Sequence, residues 1–407
     1  MRRSLFWLAT LALIVISTAH ATVPAVAQVV RVATPSDCDV EGSEGHIAPH
    51  AFEFADLERL WEVVDLLESG ADPSPERWNE LISGPGYSRL VQEEIPAGVL
   101  FESLRVAFLP SLQAKKSQWE DQDSPALQLV EHFIELDAKR PMIRDRLTEL
   151  SKEKDALSRR SMTLACAYFK CSMLNREKPF TVAFAAFQKD ARGYGDTIIM
   201  DPVFALEAGP NLALWLAHET HHLLRNPVAR ATSPMAQDGA ERSVAWVLLQ
   251  LESEGIADQI DKPHTFFGDG YMAMSKFAEY FRAELTSAPK RIGQLDVLMR
   301  ELADCTGKCD DVGDRIRDTA KMAGHPLGYY MAGVIEQSLG RAALIESIGD
   351  PTRFITAYNR AANLDAQRPP VFSDRSLAYA ARLFAKPCRL LEEARHNSCP
   401  VDGSTMY

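Results

Sequence analysis

Three residues in one short stretch have the types and spacing of a metal centre. His218, Glu219 and His222 stand in Asn211–Pro227, NLALWLAHETHHLLRNP, and fit the pattern H-E-x-x-H. On an α-helix, positions i and i+4 share one face a turn apart. Two imidazoles so placed can grip one zinc ion, with Glu219 beside the coordination position left open for water. Histidine is scarce, 10 in 407 residues, so a chance match of three polar residues on a surface helix is rare. The apolar lead-in Leu212–Ala217 argues that the helix is buried, and burying two His and a Glu without a common partner is costly. Asn211 reads as the N-cap and Arg225-Asn226-Pro227 as the stop. His221 lies on the same helix but points away from the His218/His222 face, which assigns it to packing or surface.

An open zinc site needs a third protein ligand. Downstream, Asp238–Ile260 is apolar nearly all round from Val244 to Leu251, as a buried helix would be. Glu252 and Glu254 compete on it, pointing to nearly opposite sides. Glu254 has Asp258 one turn later on its own face, whereas Glu252 has Ile256 there. A metal-bound His commonly gives its second N–H to a carboxylate. The spacing therefore favours Glu254 as ligand, with Asp258 orienting a zinc-bound histidine, His218. An ordinary salt-bridged glutamate is the alternative for either residue, and a bend at Gly255 could re-aim both.

His218-Glu219-x-x-His222 followed by Glu254-x-x-Ala257-Asp258 resembles the gluzincin metallopeptidases. Their third ligand is a helical Glu with an Asp four residues on. The chain is also similar to bacterial zinc-dependent peptidases of unknown function, whose N-terminal part resembles Glu62–Leu90 here, including DPSPERWNELISGPGY. The gluzincin resemblance covers the two metal-binding helices, and the second spans most of the mature chain. It implies a His or Tyr that helps hold the oxyanion. His325, Tyr329 and Tyr330 are the candidates in HPLGYY, with His325 and Tyr330 taken first. A core tyrosine or a helix-capping histidine is the commoner fate of such residues.

The elements that must position these groups follow from periodicity. Thr181–Phe187 and Thr197–Met200 read as strands joined through a Gly193–Asp196 turn, immediately before the zinc helix. They form either a supporting hairpin or an edge that binds substrate main chain as an added strand. Helical spacing begins near Phe52, and further helices are expected at Trp78–Ile82, Val99–Gln113 and Leu127–Leu157. Beyond the centre, helices are expected over Tyr271–Glu284 and Ile292–Asp304, another opens at His325-Pro326, and a later one carries Pro351, Phe354 and Tyr358.

Met1–Ala27 has Arg2 and Arg3, an apolar run Leu5–Ile16, and A-x-A sites ending at Ala21 and Ala27. That is the pattern of a secretory signal peptide, with an apolar core short for a membrane span. The net charge of −12 becomes −14 on losing Arg2 and Arg3, since this segment holds no acid. An acidic chain without a basic block argues against nucleic acid as a partner. Seven cysteines follow the signal, and in an exported protein disulfides are the default. Cys166/Cys171, Cys305/Cys309 and Cys388/Cys399 are close in sequence, leaving Cys38 over, either free or able to compete for one of the others.

The reading is thus a mainly helical α+β protein, with the HExxH helix and a Glu-bearing helix beside a small β-sheet. It divides into a signal peptide (1–27), an N-terminal helical region (28–160), a zinc-peptidase core (161–290) and a C-terminal helical region (291–407). The expected function is exported, zinc-dependent hydrolysis of peptide bonds through a zinc-activated water, with Glu219 as general base. Hydrolysis of another amide, such as a cell-wall crosslink, is the alternative within enzymes. A helical scaffold with a structural zinc is the alternative outside them. The partner is a peptide or protein substrate. Oligomeric state and cleavage specificity are not encoded in these patterns.

Overall fold

The computed structural model describes residues 46–121, 125–230, 239–268 and 271–385. Met1–Ala27, read above as a signal peptide, and Cys38, Cys388 and Cys399 lie outside them. The described chain is mainly helical, with strands β1 (His46–Ile47), β2 (Ala51–Glu53), β3 (Asn175–Arg176), β4 (Thr181–Phe184), β5 (Ala191–Tyr194) and β6 (Thr197–Met200). β1 pairs with β3, and the other four form one sheet in the order β2-β4-β6-β5. β2, β4 and β6 run parallel, and β5 closes an antiparallel hairpin against β6. Gly195, at φ 61°, supplies the left-handed residue that this tight turn needs.

β6 is buried along its whole length, as a strand covered on both faces should be. At its end Asp201 caps the next helix, Pro202–Ala208, accepting from Val203 N–H at 2.9 Å and Phe204 N–H at 3.0 Å. A 3₁₀ turn (Gly209–Asn211) then leads into the HExxH helix, Leu212–Arg230. So Asn211 belongs to the turn, and Pro227 does not stop the helix. Proline removes one internal hydrogen bond, but the last turn is held from outside. Ala229 is buried, and a Cβ on Gly349 would come within 2.9 Å of Val228 Cγ1. Tertiary packing overrides the local stop signal here.

Other elements differ from the sequence reading: β4 and β6 pair in parallel and so are not two arms of a hairpin, and the expected helix Val99–Gln113 ends at Phe108 before a 3₁₀ turn at Pro110–Leu112. β2 occupies the place where Phe52 and Phe54 mimic helical spacing, and the helix begins at Ala55. The span 127–157 is two helices, Pro125–Ala138 and Arg140–Cys166, because Pro141 can only stand in a first turn. β5 was hidden by Arg192 and Gly193, neither of which favours a strand. Cys166–Cys171 and Cys305–Cys309 are joined as disulfides. Among the described residues no helix is long and apolar enough to cross a membrane.

The segment DPSPERWNELISGPGY has a structural explanation. The buried Asp56 carboxylate accepts from the Gly86 N–H at 2.6 Å and the Tyr87 N–H at 3.3 Å, at the start of the helix Pro85–Glu93. A Cβ at position 84 would fall 1.5 Å from Asp56 Oδ1, so only glycine fits. Tyr87 is fully buried, and its hydroxyl accepts from Ala186 N–H at the end of β4.

His50 links this sheet to the HExxH helix. Its Nε2 donates to Thr220 Oγ1 at 2.9 Å, and its Nδ1 accepts from Ser158 at 2.9 Å. Burial pushes His50 down to about 4. A histidine neutral in the fold but protonated in the unfolded chain adds stability above its ordinary pKa of 6.5. That stability is lost as pH falls from there toward 4. The full window is worth about 3 kcal/mol. His50→Gln should therefore destabilise clearly at pH 7.5, and the gap to wild type should shrink by about 2 kcal/mol at pH 5. Paired denaturant titrations at the two pH values measure it, and a gap independent of pH contradicts it.

Candidate active site

Three helices meet at the centre: the HExxH helix, the Glu254 helix (Gly239–Thr265) and the His325 helix (His325–Leu339). The last two cross with almost no space between them. A Cβ on Gly255 would lie 2.5 Å from the Gly328 carbonyl, and one on Gly328 would lie 2.5 Å from the Leu251 oxygen. Gly255 thus serves close backbone approach and does not bend its helix, which runs unbroken through both glutamates. The crossing carries His325, one turn before Gly328, to the side of Glu254 and Asp258.

His218 Nε2 and His222 Nε2 stand 3.0 Å apart, with Glu254 Oε2 at 3.1 Å from the second and 3.5 Å from the first. Ligands at ~2.0–2.2 Å from a tetrahedral zinc stand roughly 3.3–3.6 Å from one another, so the three donors need to open by only a few tenths of an ångström to take the ion. Both rings present the right nitrogen. His218 Nδ1 is taken by Asp261 Oδ1 at 3.0 Å, and His222 Nδ1 by Ser253 Oγ at 3.0 Å. Asp261 can only accept from His218 Nδ1–H, which leaves the Nε2 lone pair of a neutral His218 facing the common point, and His222 presents its Nε2 there likewise when its Nδ1–H donates to Ser253. Burial raises the Glu254 carboxyl, but the charges of His222 and His325 outweigh it and hold its pKa well below the usual range.

Glu252 is elsewhere. Its carboxylate is fully buried, accepting from Arg225 Nε at 2.8 Å and from Gly349 N–H at 2.9 Å. It ties the HExxH helix to the loop before Pro351–Leu364 and does not reach the metal point.

Asp258 does not hold His218. Its Oδ1 is 3.7 Å from His218 Nδ1, while its two oxygens lie 3.1 and 3.0 Å from His325 Nδ1. The hydrogen bond to His218 belongs to Asp261, one turn further along. Glu254, Asp258 and Asp261 are spaced i, i+4, i+7 and form one stripe. The same period that linked 254 to 258 would have reached 261.

The oxyanion candidates separate. His325 reaches the centre, its ring centroid 6.0 Å from that of His218. Burial disfavours its charge, but Asp258 and Glu254 overcome that and raise its pKa. Tyr330 is turned the other way, buried beside Tyr358 and Asp365, where loss of solvent pushes it up to about 12. Tyr329 stacks on Phe267 and lies behind Asp258 and Asp261. His221 is fully buried, with Nε2 against the Tyr168 carbonyl at 3.3 Å.

Glu219 is buried beside the two histidines. Burial lifts its carboxyl to about 6, with the charges of His218 and His222 pulling the other way. The edge strand β5 passes directly over it. A Cβ on Gly193 would stand 3.3 Å from Glu219 Oε2 and 3.1 Å from Leu223 Cδ2, so the bare backbone sets the approach.

Comparison with curated proteins and with solved structures returns no match. A family model described as "Putative zinc dependent peptidase (DUF5700)" matches residues 78–367, from Trp78 in the N-terminal helices past the three helices of the centre, and the chain belongs to that family.

Proposed function

We propose that this protein is an exported zinc metallopeptidase in which His218, His222 and Glu254 hold the ion and Glu219 is the general base. The observation that carries this reading is the convergence of two Nε2 atoms and one carboxylate oxygen, 3.0–3.5 Å apart, with both second ring nitrogens already engaged. Zinc bound there supplies Lewis acidity toward a water and a scissile carbonyl. Glu219 takes a proton from the attacking water and returns it to the leaving amine, a task suited to a carboxyl near neutrality. His325 keeps one N–H on Asp258 and offers the other to the oxygen that gains charge. Among the described residues β5 is an edge strand of the sheet, beside Glu219, which suits a peptide laid down as an added strand. The disulfides Cys166–Cys171 and Cys305–Cys309 support export, as does the leader-like start of the chain.

Elemental analysis of purified protein should find about one zinc per chain. A strong chelator should remove metal and peptide hydrolysis together, and added zinc should restore both. His218→Ala and His222→Ala should each bind none. Hydrolysis that survives complete metal removal would overturn this function.

A further inference from the structure

Lys262 is a buried lysine, 3% exposed, and is absent from the mechanism so far. Its Nζ lies 2.8 Å from Asp261 Oδ2 and 3.1 Å from Asp258 Oδ1. Its open side faces the Trp215 ring at 4.4 Å and the Phe266 ring at 4.8 Å. Trp215 stands one turn before His218, so the HExxH helix itself builds part of the seat. Each carboxylate that Lys262 grips is shared with an imidazole. Asp261 gives one oxygen to Lys262 and the other to His218 Nδ1. Asp258 meets Lys262 through Oδ1 and His325 Nδ1 through Oδ2 at 3.0 Å.

We infer that Lys262 is a positioning residue: its ammonium fixes the rotamers of Asp261 and Asp258 that aim them at Nδ1 of His218 and of His325. One cation thus orients both a zinc ligand and the histidine opposite it, on two different helices. Two carboxylates side by side in an apolar wall would otherwise swing apart. An ion pair serving stability alone would not need each carboxylate committed to a histidine of the centre. The inference rests on the zinc reading only for its effect on metal affinity.

The test is Lys262→Met, which keeps an unbranched apolar stem in the seat but removes the charged nitrogen that lies over Trp215. Metal-free protein is titrated with zinc against a chelator of known affinity, and peptide turnover is measured at saturating zinc. The ring nitrogens of ¹⁵N-histidine protein are followed by NMR without metal. Zinc affinity should fall about 10–100-fold, the scale of losing support behind a ligand. kcat should fall with KM little changed, and the Nδ1 signals of His218 and His325 should both move. Asp261→Asn should reproduce the loss of zinc affinity, and Asp258→Asn the loss of kcat with zinc retained. A folded Lys262→Met protein with zinc affinity and kcat within about twofold of wild type would overturn the inference. If Lys262→Met does not fold, Asp261→Asn decides, and unchanged zinc affinity there overturns it. Should wild type bind no zinc, the peptidase reading falls, while the metal-free NMR comparison still tests Lys262: unmoved signals refute it.

Discussion

Glu219→Gln should retain a full equivalent of zinc and lose turnover by about 10²–10⁴-fold, the usual contribution of a positioned general base. Glutamine keeps the size of the side chain, so the close packing under Gly193 survives, where a Cβ would already be 3.3 Å from the carboxylate. What it loses is the ability to accept a proton from the attacking water and hand it on. The loss should appear in kcat more than in KM, because peptide lying along β5 does not need the Glu219 charge. In free-energy terms the effect is about 3–5 kcal/mol of transition-state stabilisation. Turnover on a peptide found by library digestion, with metal content measured on the same sample, decides it. Activity within a few-fold of wild type removes Glu219 from the role.

The second large effect separates two glutamates that are neighbours in sequence. Glu254→Ala removes a charged group that lies 3.1 Å from His222 Nε2. Zinc affinity should drop by more than about 100-fold, beyond what a supporting residue costs. Stability without metal should fall less than in Glu252→Ala, since the partners of Glu254 are histidines that can give up their protons, whereas Arg225 cannot. Glu252→Ala should do the reverse. It strands Arg225 in the interior and removes the carboxylate that accepts from the Gly349 N–H. Breaking a buried pair from one side costs about 3–5 kcal/mol. Denaturant midpoints and competitive zinc titrations on both variants should give this crossed pattern. Zinc lost in Glu252→Ala but kept in Glu254→Ala would reverse the assignment.

How much of this was legible in the sequence depends on how local each relation is. His218, Glu219 and His222 are set by one turn of helix, and Glu254 by the company of Asp258 on its face. Asp261 needed only one further step of the same period. The choice between Tyr329 and Tyr330 was also within reach. Tyr329 is four residues after His325 and shares its face, whereas Tyr330 is turned about 100° away. Lys262 was not legible. A lysine following an aspartate on a helix reads as surface until Trp215 and Phe266 are known to close over it. β2 and β5 were hidden for a similar reason, because short strands take their identity from the partner they pair with. The mainly helical α+β class came through, since it rests on many helices whose periodicity is independent.

The glycine crossing at 255 and 328 also divides the centre into a local part and a distant part. His218, His222 and Glu254 fall within a short span of chain, whereas His325 comes 67 residues after its partner Asp258. Contacts between distant segments carry the larger loop-closure cost, by about 0.6 kcal/mol for each doubling of the loop. Zinc-binding geometry can therefore arise from the first two helices before the third has docked. Docking then leaves no half-seated position, because backbone meets backbone with no side chain to cushion it. On this view refolding has two separable events, capture of metal and arrival of His325, and catalytic competence belongs to the second.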